Sequence, residues 1–428
     1  MNALVVIAVV FIAYSLVATR LDRWSITAPM VFVVTGTALG LLAPDWVGVL
    51  GEPEPVKLIA EITLALLLFA DASTLRWREL REDGVLPARL LLIGFPLTVL
   101  AGFGVGMLLE PTAGWAAAAL IAAILAPTDA ALGLGVFTNR RVPGRIRRAL
   151  NVESGLNDGM ATPLVTLFLA FLITEEGGAD NWVAESVLDL GIAVVVALVV
   201  GFVAGRMITL AQTRGWTSAV PERLAVLATA FLSYAGAVAI GGNGFVAAFA
   251  AGLVFAVASR GELHEATGFT EDLGLFASFL VWAIFGALLL APVLENGFRW
   301  APVLYAVLSL TVIRMIPVAL AMVGSGLRLS SKLFMGWFGP RGLASVVFTL
   351  LAFETLEHEG LVTAPLVETA SWTVFLSVIA HGITARPLAR IYGAAVAEEP
   401  VEQMTTRIPH GEPVPRSLAF PGKGHDLS

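Results

Sequence analysis

Cysteine is absent from all 428 residues. That excludes disulfides, a thiolate nucleophile and a Cys-ligated metal, and it leaves the redox compartment open. Charge is scarce as well, at 14% of residues, and the net balance is -7. The basic residues are spread through short connecting segments and gather into no groove or patch, so nucleic acid is set aside as a partner. A phosphate cradle is also missing: Gly241-Gly242-Asn243-Gly244 is followed by no Lys-Ser/Thr pair, reads as a short turn, and points to no nucleotide domain. The first apolar run, Ala3 to Ala18, lacks a basic leader and a small-residue cleavage site ahead of Arg20 and Arg23, so it reads as a retained span.

What the chain has in excess is apolar surface. With 57% hydrophobic residues, no single compact core could hide its side chains, and the sequence is that of an all-α polytopic membrane protein. A window of about 20 residues, the length that crosses a bilayer as helix, finds about thirteen spans. They cover 3–19, 28–43, 57–75, 86–109, 114–137, 149–173, 184–210, 221–240, 243–259, 271–291, 300–323, 332–353 and 367–391. The second is short, carries Pro29 and Gly36, and reads as tilted or re-entrant. From residue 397 the chain turns polar and Pro-rich, as in a short disordered tail over 397–428.

Alternate loops hold nineteen Lys and Arg residues, among them Arg140, Arg141, Arg145, Arg147 and Arg148, while the opposite loops hold only Lys57 and Arg299. The positive-inside rule then puts the N-terminus outside and the C-terminus in the cytoplasm of a cell (inner) membrane, which demands an odd number of spans.

Against this frame a few polar residues stand out by depth. Asp158 lies ten residues past Arg148, roughly 15 Å into the membrane at 1.5 Å per residue. An ionisable group at the midplane reads as an ion path, a proton relay or a counter-ion. Asp129 lies eleven residues before Arg140, and Arg341 nine after Lys332, so both share that level. Each sits beside a helix breaker: Ala126-Pro127-Thr128-Asp129 in the fifth span, Gly339-Pro340-Arg341-Gly342 in the twelfth. Two interrupted spans seven apart in order run in opposite directions, as in two six-helix inverted repeats whose broken helices cross at a midplane site. On the sixth span Ser154 and Asp158 share one face, with Glu153 and Asn157 as the neighbouring pair. Hydroxyl, carboxylate and freed carbonyl oxygens suit a hard monovalent cation without His or Cys.

The run Asn151-Val152-Glu153-Ser154-Gly155-Leu156-Asn157-Asp158-Gly159, with Pro127-Thr128-Asp129 and Gly339-Pro340-Arg341-Gly342, resembles the monovalent cation/proton antiporters of the sodium/proton exchanger type over nearly the whole chain. The resemblance implies a transporter and no enzyme: a homodimer in the bilayer that exchanges Na+, Li+ or K+ for H+, with these ions as substrates and no cofactor. It implies a transmembrane domain over 1–396, with a moving core at about 86–173 and 300–391 and a dimer scaffold at about 1–75 and 184–291. It assigns cation and proton binding to Asp158, assisted by Ser154, Thr128 and Asp129, with Asp158, Ser154 and Thr128 as ligands of the monovalent ion. Glu153, Asn157 and Arg341 hold the core together.

One departure falls in the third span. Relatives place an acid directly after a Leu-Phe pair, whereas here Phe69 is followed by Ala70 and then Asp71. Asp71 lines the inner entrance or ligates the ion through water, or else it snorkels as an interface acid. Arg314, remote from both ends of the eleventh span, needs a counter-charge or carbonyls, with Glu271 as a candidate partner. His381 reads as a packing histidine ahead of a proton relay. The expected mechanism is competition: burial favours the neutral carboxylate, a bound cation favours the ionised one, so the two exclude each other at Asp158. Asn157 cannot titrate, which makes the exchange electroneutral and one-for-one. A cation channel and an intramembrane aspartyl hydrolase are the alternatives.

Overall fold

The structure is a computed structural model that describes residues 3–47, 53–75, 84–137, 139–177, 182–361 and 364–397. The Pro-rich tail and Arg76, Arg78 and Arg81 lie outside the described residues. Every regular element among the described residues is helical. Besides a single turn at Pro44–Val47, the helices in chain order are α1 (Ala3–Arg23), α2 (Ala28–Leu42), α3 (Pro53–Ser73), α4 (Val85–Leu109), α5 (Gly114–Ile124), α6 (Leu134–Phe137) and α7 (Gly144–Gly177). There follow α8 (Trp182–Thr213), α9 (Ala219–Ala239), α10 (Gly244–Ala258), α11 (His264–Glu295), α12 (Trp300–Ala321), α13 (Leu329–Trp337), α14 (Leu343–His358) and α15 (Ala364–Ala397).

Eight of these helices are long and apolar enough to cross a membrane. The remaining predicted stretches are also helical: α2 and α10 are shorter, α3 is as long as α1 but carries Glu54, Lys57, Glu61 and Asp71, and the last two hold the breakers. The second stretch is one continuous helix, with Pro29 in its first turn, where a missing N–H costs nothing. Outward faces carry large apolar side chains such as Leu16, Leu92 and Leu108, a surface suited to lipid.

The breakers act as their chemistry requires. α5 stops at Ile124, and Ala126 to Asp129 leave the helical path before a single 3-10 turn at Ala131–Gly133 and the short α6. α13 stops at Trp337, and the chain runs non-helical through Gly339 to Gly342 before α14 begins. Two other prolines are absorbed without a break. Pro96 and Pro292 each follow a π-helical turn, Leu90–Gly94 in α4 and Phe285–Leu290 in α11, whose wider backbone accommodates the lost donor.

Helices meet in two groups. α3 packs against α10 and α11, α10 against α8, and α11 against α2. The α2–α11 contact is backbone to backbone, because a Cβ on Gly36 would strike the Ala283 carbonyl and one on Gly286 would strike that of Val33. Small residues permit this approach where lipid offers no hydrophobic drive. The second group joins α4 to α5, α5 to α7, α12 to α13 and α15, and α14 to α15. Both breaks fall in this second group.

Candidate functional site

The two interrupted stretches finish one another. Where α5 ends, three carbonyls lose their intrahelical donors. The Ser345 hydroxyl donates to the Ile124 carbonyl at 2.7 Å, and Arg341 Nη1 donates to those of Ala126 and Pro127 at 2.8 and 3.3 Å. In return, Asp129 Oδ2 accepts the Leu343 N–H that opens α14 at 2.9 Å, and the Asp129 N–H donates to the Pro340 carbonyl at 2.8 Å. Asp129 Oδ1 accepts from Ala131 N at 2.7 Å. A Cβ on Gly342 would collide with the Asp129 carboxylate, so only glycine lets the breaks approach this closely. An anion thus sits at a helix start and a cation at a helix end, as the peptide dipoles favour.

α15 supports the crossing. The Arg341 N–H donates to Ser377 Oγ at 2.7 Å, and His381 Nε2 lies 2.8 Å from the Trp337 carbonyl that ends α13. Nδ1 lies 3.0 Å from the Ser377 carbonyl of its own helix, so the buried His381 ring bridges α15 to the end of α13. The packing role expected of it fits this geometry.

Deeper in the group lies a buried ion pair. Arg314 Nη1 and Nη2 donate to Glu153 Oε1 and Oε2 at 2.5 and 2.8 Å, with both side chains at most 2% exposed. Glu271, expected as the partner of Arg314, is therefore not its counter-charge. It sits on α11 in the other group, within electrostatic reach of Asp71. Sequence distance alone could not tell which of two buried acids the arginine would meet. The bidentate fork explains why arginine holds this position.

Beside this framework α7 brings the expected ligands together. The Thr128 hydroxyl lies 3.0 Å from that of Ser154 and accepts from Asn157 Nδ2 at 2.7 Å, all three side chains being buried. Asn157 pairs with Thr128 and Glu153 with Arg314, so the two neighbours on α7 each brace a different element. Asp158 lies within electrostatic reach of Asp129 and Asp71. Its Oδ1 is buried and finds no hydrogen-bond partner among the described residues, and the same holds for Asn157 Oδ1. Asp71 projects from α3 toward α7, its Cβ being the nearest neighbour of a Cβ built on Gly155, at 3.7 Å. That position puts Asp71 within electrostatic reach of Asp129 and Asp158.

Thr128, Asp129, Ser154 and Asp158 therefore converge with Asp71 nearby, and Asn157, Glu153, Arg314 and Arg341 brace them. Glu271 stands one step removed. Sequence reasoning missed the serines: Ser345 and Ser377 satisfy the breaks yet carry no charge to draw notice. The one available signal was Ser345 lying three residues beyond the Gly339–Gly342 breaker.

The profile of the family described as "Sodium/hydrogen exchanger, transmembrane" matches residues 6–391. The chain is 25% identical to the Na(+)/H(+) antiporter ApNhaP of Aphanothece halophytica over 83% of its own length and 68% of the relative's. It is 26% identical to the K(+)/H(+) antiporter NhaP of Alkalimonas amylolytica over 92% and 68% of the two lengths. Its fold is similar to the solved structure of the sodium proton antiporter MjNhaP1 from Methanocaldococcus jannaschii at pH 8, with a TM-score of 0.72 and 20% identity, covering 93% of this chain and 99% of that one. The channel and hydrolase alternatives find no support in these relatives.

Proposed function

The chain belongs to the sodium/hydrogen exchanger family and is a multi-pass membrane cation/proton antiporter, and we propose that Asp158 carries the cation and the proton in turn. The observation that carries this assignment is the buried, unpartnered Asp158 Oδ1, one helical turn along α7 from Ser154, whose hydroxyl meets that of Thr128. A buried carboxylate oxygen with no donor costs free energy unless a proton or a cation supplies the missing partner. Ser154, the Thr128 region and the free lone pairs of Asp129 give the cation its remaining oxygens, and Asp71 joins through water from the scaffold side. The cation is a monovalent alkali ion, with Na+ as the leading substrate, and the exchange needs no further cofactor.

Asn157 makes the exchange one-for-one and electroneutral, because its amide braces Thr128 and holds no charge. The chain crosses the membrane thirteen times, with the N-terminus outside, the C-terminus in the cytoplasm, and α5/α6 and α13/α14 as equivalent broken helices of two inverted repeats. The α4–α7 and α12–α15 group is the moving core; α1–α3 and α8–α11 form the scaffold of a homodimer. Proteoliposomes with an entrapped pH dye test the assignment. Added Na+ dissipates an imposed pH gradient at a rate unchanged by membrane potential. A steady rate that rises with potential contradicts one-for-one exchange.

A further inference from the structure

A carrier carboxylate that meets both faces of the membrane at once dissipates the gradients it should couple, so one face must be sealed in any given conformation. The seal is built on the side of Asp158 away from the arginine-rich segment 140–148. Along α7, Gly155 and Asp158 keep partial exposure, whereas Gly159 is buried. A Cβ on Gly159 would collide with the Phe249 ring, so this aromatic from α10 fills the notch one residue beyond Asp158.

Two polar contacts lie beyond it on the same side. Asn243 caps α10, with Oδ1 accepting the Phe245 and Val246 N–H groups at 3.1 and 3.0 Å. Its Nδ2 donates to Thr166 Oγ1 of α7 at 2.9 Å. Further out, Lys57 Nζ near the start of α3 meets Glu354 Oε1 near the end of α14 at 3.3 Å, with side chains 40% and 25% exposed. Phe245 adds an edge-on contact to Phe348 at 6.4 Å. Each of these joins α3 or α10 on one side to α7 or α14 on the other, and none lies within either helix group. An ion pair this exposed is weak, which suits a contact that must open in every cycle.

We infer that Phe249, seated on Gly159, is the barrier that closes Asp158 off from the Lys57 face, and that Lys57–Glu354 is the latch that holds it shut. The inference rests on the two helix groups moving past each other, as the exchange reading requires. Barrier and latch part together when the site turns to that face.

The absence of cysteine makes the test direct. The Lys57→Cys/Glu354→Cys protein, joined by a short bis-methanethiosulfonate reagent, is expected to lose at least tenfold in exchange rate in proteoliposomes and to regain it when dithiothreitol removes the bridge. Cross-linked protein that keeps more than half its rate overturns the latch, and so does a double variant already inactive before cross-linking. Phe249→Ala is expected to add a potential-driven flux of radioactive sodium several-fold above that of the unaltered protein; no added flux overturns the barrier. The exchange reading is checked apart from both, by whether the cross-linked protein in detergent still releases protons when Na+ is added.

Discussion

Asp129 and Arg341 each complete the interrupted helix to which the other belongs: Asp129 Oδ2 takes the Leu343 N–H at 2.9 Å, and Arg341 Nη1 caps the Ala126 carbonyl at 2.8 Å. The exchange is reciprocal in charge as well as in sequence. It converts two breaks, each costly alone in a medium without water, into one satisfied crossing.

Arg341→Ala removes the donors of two buried carbonyls and part of a third at Ser309. Each buried acceptor left unmade costs about 1–3 kcal/mol, so the total is on the order of 3 kcal/mol or more. Arg341→Lys keeps the charge but offers no planar fork, and its loss is intermediate. Thermal unfolding of the detergent-purified proteins should rank them native, Lys, Ala. An Ala variant melting with the native protein would contradict the capping role.

The Glu153–Arg314 pair answers to a double-mutant cycle. Glu153→Gln leaves a buried guanidinium without its counter-charge, at a cost of about 3–5 kcal/mol. Glu153→Gln with Arg314→Met removes the stranded charge and is expected to melt higher than Glu153→Gln alone. Additive losses would mean that the two side chains do not depend on each other, against their bidentate contact.

Most of this arrangement was legible from depth and from breakers. Asp158, Asp129 and Arg341 came out at one level by counting residues from the basic loops, and Pro127 and Pro340 announced the two interruptions. What counting could not supply was azimuth. Arg314 was known to be deep, but whether it faced Glu153 on α7 or Glu271 on α11 depends on how whole helices rotate against each other. The same holds for Asp71, whose direction depends on how α3 faces Gly155 of α7. The serines at 345 and 377 were invisible because a hydroxyl in an apolar helix more often bonds its own preceding turn, as Thr349 and Thr373 do here. The π turns before Pro96 and Pro292 have no sequence signature that sets them apart from a kink.

The ligands are separable from the framework. Asp158→Asn is expected to abolish exchange while leaving the melting temperature within a few degrees of native, since Oδ1 supports no other residue. Ser154→Ala removes one neutral oxygen and should raise the apparent KM for the cation about five- to tenfold, in line with a contact worth about 1 kcal/mol. Exchange that survives Asp158→Asn would move the site elsewhere.

Competition at a single carboxylate also sets the response to pH. A proton stabilises the form of Asp158 that the cation cannot use, so acidification weakens cation binding. Where protonation dominates, a drop of one pH unit should raise the apparent KM for Na+ up to about tenfold without lowering the maximal rate. Initial rates measured at several pH values with equal pH on both sides of the vesicle give this directly. A maximal rate that falls while KM stays fixed would point to a separate regulatory group.

The most direct measurement is proton release on ion binding. The purified protein is held in weakly buffered detergent solution with a pH indicator and titrated with NaCl, with choline chloride as the control. The account predicts close to one proton released per protomer as the site saturates, when the starting pH leaves Asp158 protonated, and none from Asp158→Asn. Saturable sodium binding with no proton released would contradict it.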